Sequence, residues 1–175
     1  MLSKEMLAGL NDQIGKEMHS AYLYMAMSAR SADLGLEGFA RWFMIQYHEE
    51  MFHGMKIYKY IQDRGGEVVL KDIPAPEGDF PSVREMFEKT LAHEKTVTRS
   101  ILDLLARAKA EKDAATEIFL AWYVTEQVEE EKTASDILRR FAYMGPGENP
   151  GCLFLDRAMG ERKLEAPTDF SELVI

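Results

Sequence analysis

Cysteine is almost absent: Cys152 is the one cysteine in 175 residues. No intrachain disulfide and no thiolate metal cluster can form, and paired Cys-x-x-Cys motifs are missing. Long apolar runs are missing too. No stretch is long enough to span a membrane, and the start, Met1-Leu2-Ser3-Lys4-Glu5-Met6, lacks the apolar core of a secretory signal. Positive charge is in deficit. The formal net charge of −9 argues against a nucleic-acid footprint and suits attraction of cations. The expectation is a cytoplasmic protein with neither nucleic acid nor membrane as partner. What is present is 46% hydrophobic and 29% charged residues, enough over this length for a single domain, 1–175, with a sizeable core.

Apolar residues recur in alternating steps of three and four, the seam of packed bundle helices. A first helix is expected over about 4–32, with the seam Leu7, Leu10, Ile14, Glu17, Ala21, Tyr24, Ser28. After a turn at Gly35 and Gly38, a second is expected over about 39–64, with Phe39, Phe43, Gln46, Glu50, His53, Ile57, Tyr60. Gly65-Gly66 ends it. Pro74, Pro76, Gly78 and Pro81 break any helix through 66–81. So long a connection reads as a crossover that sets the second and third helices parallel. Ser82-Val83-Arg84-Glu85 matches a capping box, and the third seam runs Phe87, Thr90, Glu94, Val97, Ile101, Leu104, Ala108. Asp113 can cap a fourth helix with the seam Thr116, Leu120, Tyr123, Gln127, Glu130, Ala134, Ile137, Phe141, stopped by Gly145-Pro146-Gly147. The bundle thus covers about 4–144. Asn149-Pro150 opens a short fifth helix over about 149–161. The tail, 164–175, has no period, and its apolar end from Phe170 to Ile175 suggests a docking segment.

Ionisable residues interrupt each seam by one rule. Glu17 and Glu50 are 33 residues apart, as are Glu94 and Gln127, and Glu50/His53 and Gln127/Glu130 are each pairs three apart. The two halves superpose at an offset of 77, from Glu17 to Glu94. Residues three apart share one helix face. The pattern predicts a pseudo-twofold bundle with Glu17, Glu50, His53, Glu94, Gln127 and Glu130 at matched heights inside it. No Lys or Arg shares the seam register, so without a cation the acids would repel one another or stay protonated. Such an oxygen-rich set favours iron or manganese over a structural zinc site.

These residues resemble the ferritin family, specifically the non-haem ferritins of bacteria and archaea. The resemblance spans nearly the whole chain. It is carried by Glu17 with Ser20-Ala21-Tyr22-Leu23-Tyr24, by Glu49-Glu50-Met51-Phe52-His53, by His93-Glu94, and by the run from Trp122 to Glu131. It implies an all-α fold, a ferritin-like antiparallel four-helix bundle with a long crossover and a short fifth helix. It implies a ferroxidase that oxidises Fe²⁺ to Fe³⁺ with O₂ (or H₂O₂) at an intra-subunit di-iron centre. It also implies a 24-subunit cage that stores ferric mineral. Glu17, Glu50 and His53 would hold the first iron. Glu50 would bridge to the second, completed by Glu94 and Glu130, with Gln127 as a neighbouring polar contact. Glu49, Glu126 and Glu129, with Glu130 shared, match a third iron site. Tyr24 and Trp122 match aromatics beside the centre, where they would serve as redox or hydrogen-bonding partners or simply pack.

Three other readings share the bundle. A haem-binding bacterioferritin would place Met51 as haem ligand, but its second half repeats the Glu-x-x-His pair where this chain has Gln127 and Glu130, so no haem is expected. A di-iron oxygenase or peroxidase without storage would use the same ligands. A non-catalytic interaction protein would take up no iron.

Overall fold

The structure is a computed structural model, and it describes residues 1–145 and 150–164. It contains α1 (Lys4–Asp33), α2 (Glu37–Asp63), α3 (Val83–Glu111), α4 (Ala114–Met144) and α5 (Pro150–Met159). No strand occurs among the described residues, and none of the helices is long and apolar enough to cross a membrane. The Asn149 cap, Pro146 and Gly147, and the apolar end of the tail lie outside the described residues.

Three helices start where their caps dictate. Ser3, Ser82 and Asp113 accept hydrogen bonds from the backbone N–H groups of Met6, Glu85 and Thr116. At α2 the flanking Leu36 offers no side-chain cap. A distant residue substitutes: Asp156 of α5 accepts from Phe39 N at 2.8 Å. Gly38 permits this approach, since a Cβ there would stand 1.7 Å from the Asp156 carbonyl oxygen. The fifth helix therefore caps the second.

Side-chain pairs fix the directions. Ser31 meets Met86, Tyr24 meets Glu94, and Ser3 meets Glu111, so α1 and α3 run antiparallel. Gln46 meets Glu130 and Tyr60 meets Thr116, so α2 and α4 do the same. With α1 and α2 joined by a short turn, α2 and α3 run parallel, as the crossover requires. That connection lies along α1. It is tied near one end by Asn11, which donates to Glu67 O and accepts from Val69 N, and near the other by Arg30, which donates to Phe80 O.

The seams are buried nearly as expected, but two slip by one position. Leu7 and Tyr60 are half-buried, whereas Met6 and Ile61 are fully buried. A straight helix turns every 3.6 residues, so a strict three-four alternation drifts off the buried face at the far ends of long helices. Two apolar clusters result. One, including Tyr24, Phe39, Phe43, Phe87 and Phe141, takes in Leu155 and Met159 of α5. The other, including Leu10, Ile14, Ile57, Ile101 and Leu120, fills the opposite half. The seam acids lie between them.

Candidate metal centre

Glu17, Glu50, His53, Glu94, Gln127 and Glu130 are all buried in this layer, none more than 7% exposed. Three of them converge. One ligand atom each from Glu17, Glu50 and His53 lies within 4.8 Å of the others. Glu50 and His53 are one turn apart on α2, with Oε2 and Nδ1 separated by 3.4 Å, and Glu17 faces them from α1. Gln13 Nε2 donates to Glu17 Oε1 at 2.9 Å, while Glu17 Oε2 has no hydrogen-bond partner. A buried carboxylate oxygen left in that state is expensive unless a cation or proton meets it.

The second half orders its acids differently. Tyr24 donates its hydroxyl to Glu94 Oε1, and Gln127 Nε2 donates to Glu94 Oε2 at 3.0 Å. Gln46 Nε2 donates to Glu130 Oε2 at 2.9 Å. The His53 ring stands edge-on to Trp122, 5.5 Å between centroids. Both aromatics matched by resemblance thus border the layer, Tyr24 through a hydrogen bond and Trp122 through ring contact.

The rim acids are less gathered. His53 Nε2 lies 3.8 Å from Glu126 Oε1, so Glu126 reaches the edge of the centre. Glu49 Oε2 accepts from Arg162 Nη2 at 2.7 Å. Glu129 is exposed. These three do not form a compact group of their own.

Burial governs the protonation of the layer. It raises Glu17, Glu50 and Glu94 above the ordinary carboxylate range, against the pull of His53. It also lifts Glu130 to about 8, with Glu94 adding to the rise. For His53, burial alone would lower the pKa, but Glu50, Glu126 and Glu17 together carry it well above 6.5. Tyr24 is held well above 10 by burial and the surrounding acids. The layer therefore holds protons that a metal ion would displace.

Sequence reasoning missed three participants. Gln13 sits one position before a seam residue and four before Glu17, a spacing that places it beside the acid. Gln46 is visible in the seam, but its role as donor to Glu130 is not. Arg162 follows α5 without any periodic signal, and only the docking of that helix brings it here.

A family model of the ferritin-like domain matches residues 7–144. A bacterial non-heme ferritin from Staphylococcus haemolyticus is 50% identical over 133 residues, covering 76% of this chain and 80% of that protein. One from Staphylococcus aureus strain USA300 is 41% identical over 165 residues, covering 94% and 99%. The chain belongs to the non-haem ferritin family. Among solved structures, an open pore ferritin from the hyperthermophilic archaeon Archaeoglobus fulgidus superposes with a TM-score of 0.91 at 40% identity, covering 93% of this chain and all of that one. A humanized archaeal ferritin gives 0.92 at 40% identity, covering 95% and 100%. The bundle with its short C-terminal helix is the ferritin fold.

Proposed function

We propose that this protein takes up Fe²⁺, oxidises it with O₂ (or H₂O₂) and stores the ferric product inside a cage of its own subunits, of which the family resemblance implies 24. The observation that carries this reading is the buried convergence of Glu17, Glu50 and His53 beside the unpartnered Glu17 Oε2. Two carboxylates and an imidazole suit Fe²⁺, and the surrounding acids suit the higher charge of Fe³⁺.

In this reading Glu17, Glu50 and His53 hold the first Fe²⁺. Glu50 also reaches the second, which Glu94 and Glu130 complete. Binding releases the protons that burial keeps on these groups. Each ion then gives one electron to O₂, which takes up two protons and leaves as H₂O₂. Tyr24 and Gln127 orient Glu94, and Gln46 orients Glu130, so the acids of the second half meet the second ion in a set orientation. A third ion would draw Glu49, Glu126 and Glu129 together into a rim site.

Assembly has its own support. Leu153 and Phe154 of α5 are 63% and 79% exposed, an apolar pair that a neighbouring subunit would cover. Light scattering with iron analysis on the purified protein tests storage: a large particle that fills with iron is expected, and a monomer that turns over without retaining iron contradicts it. Replacing both residues by Ser is expected to shift the particle to small oligomers.

A further inference from the structure

Arg162 brings a guanidinium to a layer whose seams carry no Lys or Arg. Its backbone is anchored: α5 is seated on α2 through Asp156 and Gly38, and Arg41 Nε donates to the Arg162 carbonyl at 3.3 Å. From there the guanidinium lies over the Trp42 ring, 5.0 Å from its centroid, and forks. Nη2 donates to Glu49 Oε2 at 2.7 Å, and Nη1 donates to Gln46 Oε1. Gln46 in turn donates to Glu130 Oε2 at 2.9 Å. One fork thus grips a rim acid directly and a core acid through an amide.

The pair is only partly wet, with side-chain exposure of 27% for Arg162 and 16% for Glu49. Solvent screening is weaker here than on an open surface, and a planar guanidinium stacked on an aromatic face loses little freedom on bonding. Resting on the rim iron site proposed above, we infer that Arg162 is a positioning residue that sets the affinity of that site, holding Glu49 until a metal ion displaces it. The guanidinium and a metal ion cannot share one carboxylate oxygen without strong repulsion. A third ion therefore binds more weakly than it would without the guanidinium. When it does bind, the released guanidinium frees Gln46, and through it Glu130.

Zn²⁺, which has no redox chemistry, reads this without turnover. Calorimetric titration of the assembled protein is expected to show two tight ions in both the natural protein and Arg162→Gln. The third ion is expected to bind about tenfold tighter in the variant, the scale of losing one charge-assisted hydrogen bond from the competing state. Arg162→Lys, which keeps the charge but not the fork, is expected to fall between. In a Glu49→Gln background the substitution at 162 is expected to lose most of its effect on the third ion. A merely structural role for Arg162 would loosen α5 and change particle size, without tightening a third ion. If Arg162→Gln does not assemble, Arg162→Lys carries the comparison. An unchanged, weakened or absent third ion in both variants, with the tight pair retained, overturns the inference and leaves the proposed function standing. A natural protein that binds no tight pair overturns the proposed function and this inference with it.

Discussion

The two halves of the bundle share a spacing and use it differently. In α1 and α2, Glu17, Glu50 and His53 turn their ligand atoms toward one point. In α3 and α4, the equivalent Glu94, Gln127 and Glu130 turn into hydrogen bonds with Tyr24, with each other and with Gln46. Two differences account for this: Gln127 stands where the first half has Glu50, and Glu130 where it has His53. An amide has N–H donors that a carboxylate lacks, so Gln127 satisfies Glu94, while Glu17 keeps an oxygen without a partner. The repeat supplies the positions, and residue type at two of them decides which half gathers and which half braces.

The contrast between the halves is sharpest at Glu50. Glu50→Ala is expected to slow the oxidation of Fe²⁺ by more than about a hundredfold, because it removes a proposed ligand; Gln127→Ala, which removes only a brace, is expected to slow it by about tenfold or less. Stopped-flow mixing of anaerobic Fe²⁺-protein with O₂ checks both, with circular dichroism to confirm that the helices persist. Equal losses in the two variants would erase the distinction between the halves.

Acidity gives the next test. The buried acids of both halves have folded pKa values raised above their ordinary 4.5, Glu130 to about 8. Between those values the folded, metal-free protein binds more protons than the unfolded chain. The stability contributed by Glu130 is therefore present at low pH and lost as pH rises from about 4.5 through about 8, and Glu17, Glu50 and Glu94 act in the same direction. The metal-free Tm is expected to fall by several degrees from pH 5 to pH 8, and loading with Zn²⁺ is expected to flatten that slope. A metal-free Tm that rises across the window would contradict the protonation described.

Much of the fold is legible in the sequence because helical periodicity reports burial directly. Every predicted seam residue of α3 and α4 is buried, and Ser82 and Asp113 cap the helices expected of them. Leu7 and Tyr60 depart from the pattern because a rigid three-four step drifts off the buried face toward the helix ends. Glu17, Glu50 and His53 are legible because an acid in an apolar seam is too costly to bury without a cation or a proton. Arg162 and the Asp156 cap are not, since both arise from where α5 docks, and contacts between residues more than a hundred positions apart leave no local pattern. Glu129 shows the converse: its motif position points to a rim site, while its side chain is exposed.

The smallest effects sit at the helix starts, where the halves again differ. Asp113 caps α4 from its own end and pairs with Arg64, Nη2 to Oδ2 at 2.9 Å, whereas α2 borrows Asp156. Hydrogen bonds from Arg64 hold the Asp113 carboxyl down at about 2, below its ordinary 3.8. Its contribution is present above 3.8 and lost as pH falls toward 2. Asp113→Ala and Asp156→Ala are each expected to cost about 1 kcal/mol by urea unfolding. Only the second is expected also to loosen α5, seen as faster amide exchange there.

The most direct measurement is anomalous diffraction at the iron edge from crystals soaked anaerobically in Fe²⁺. A peak enclosed by Glu17, Glu50 and His53 is predicted, with a second toward Glu94 and Glu130. Peaks confined to surface acids, with the buried layer unchanged and iron-free, would contradict a buried di-iron centre.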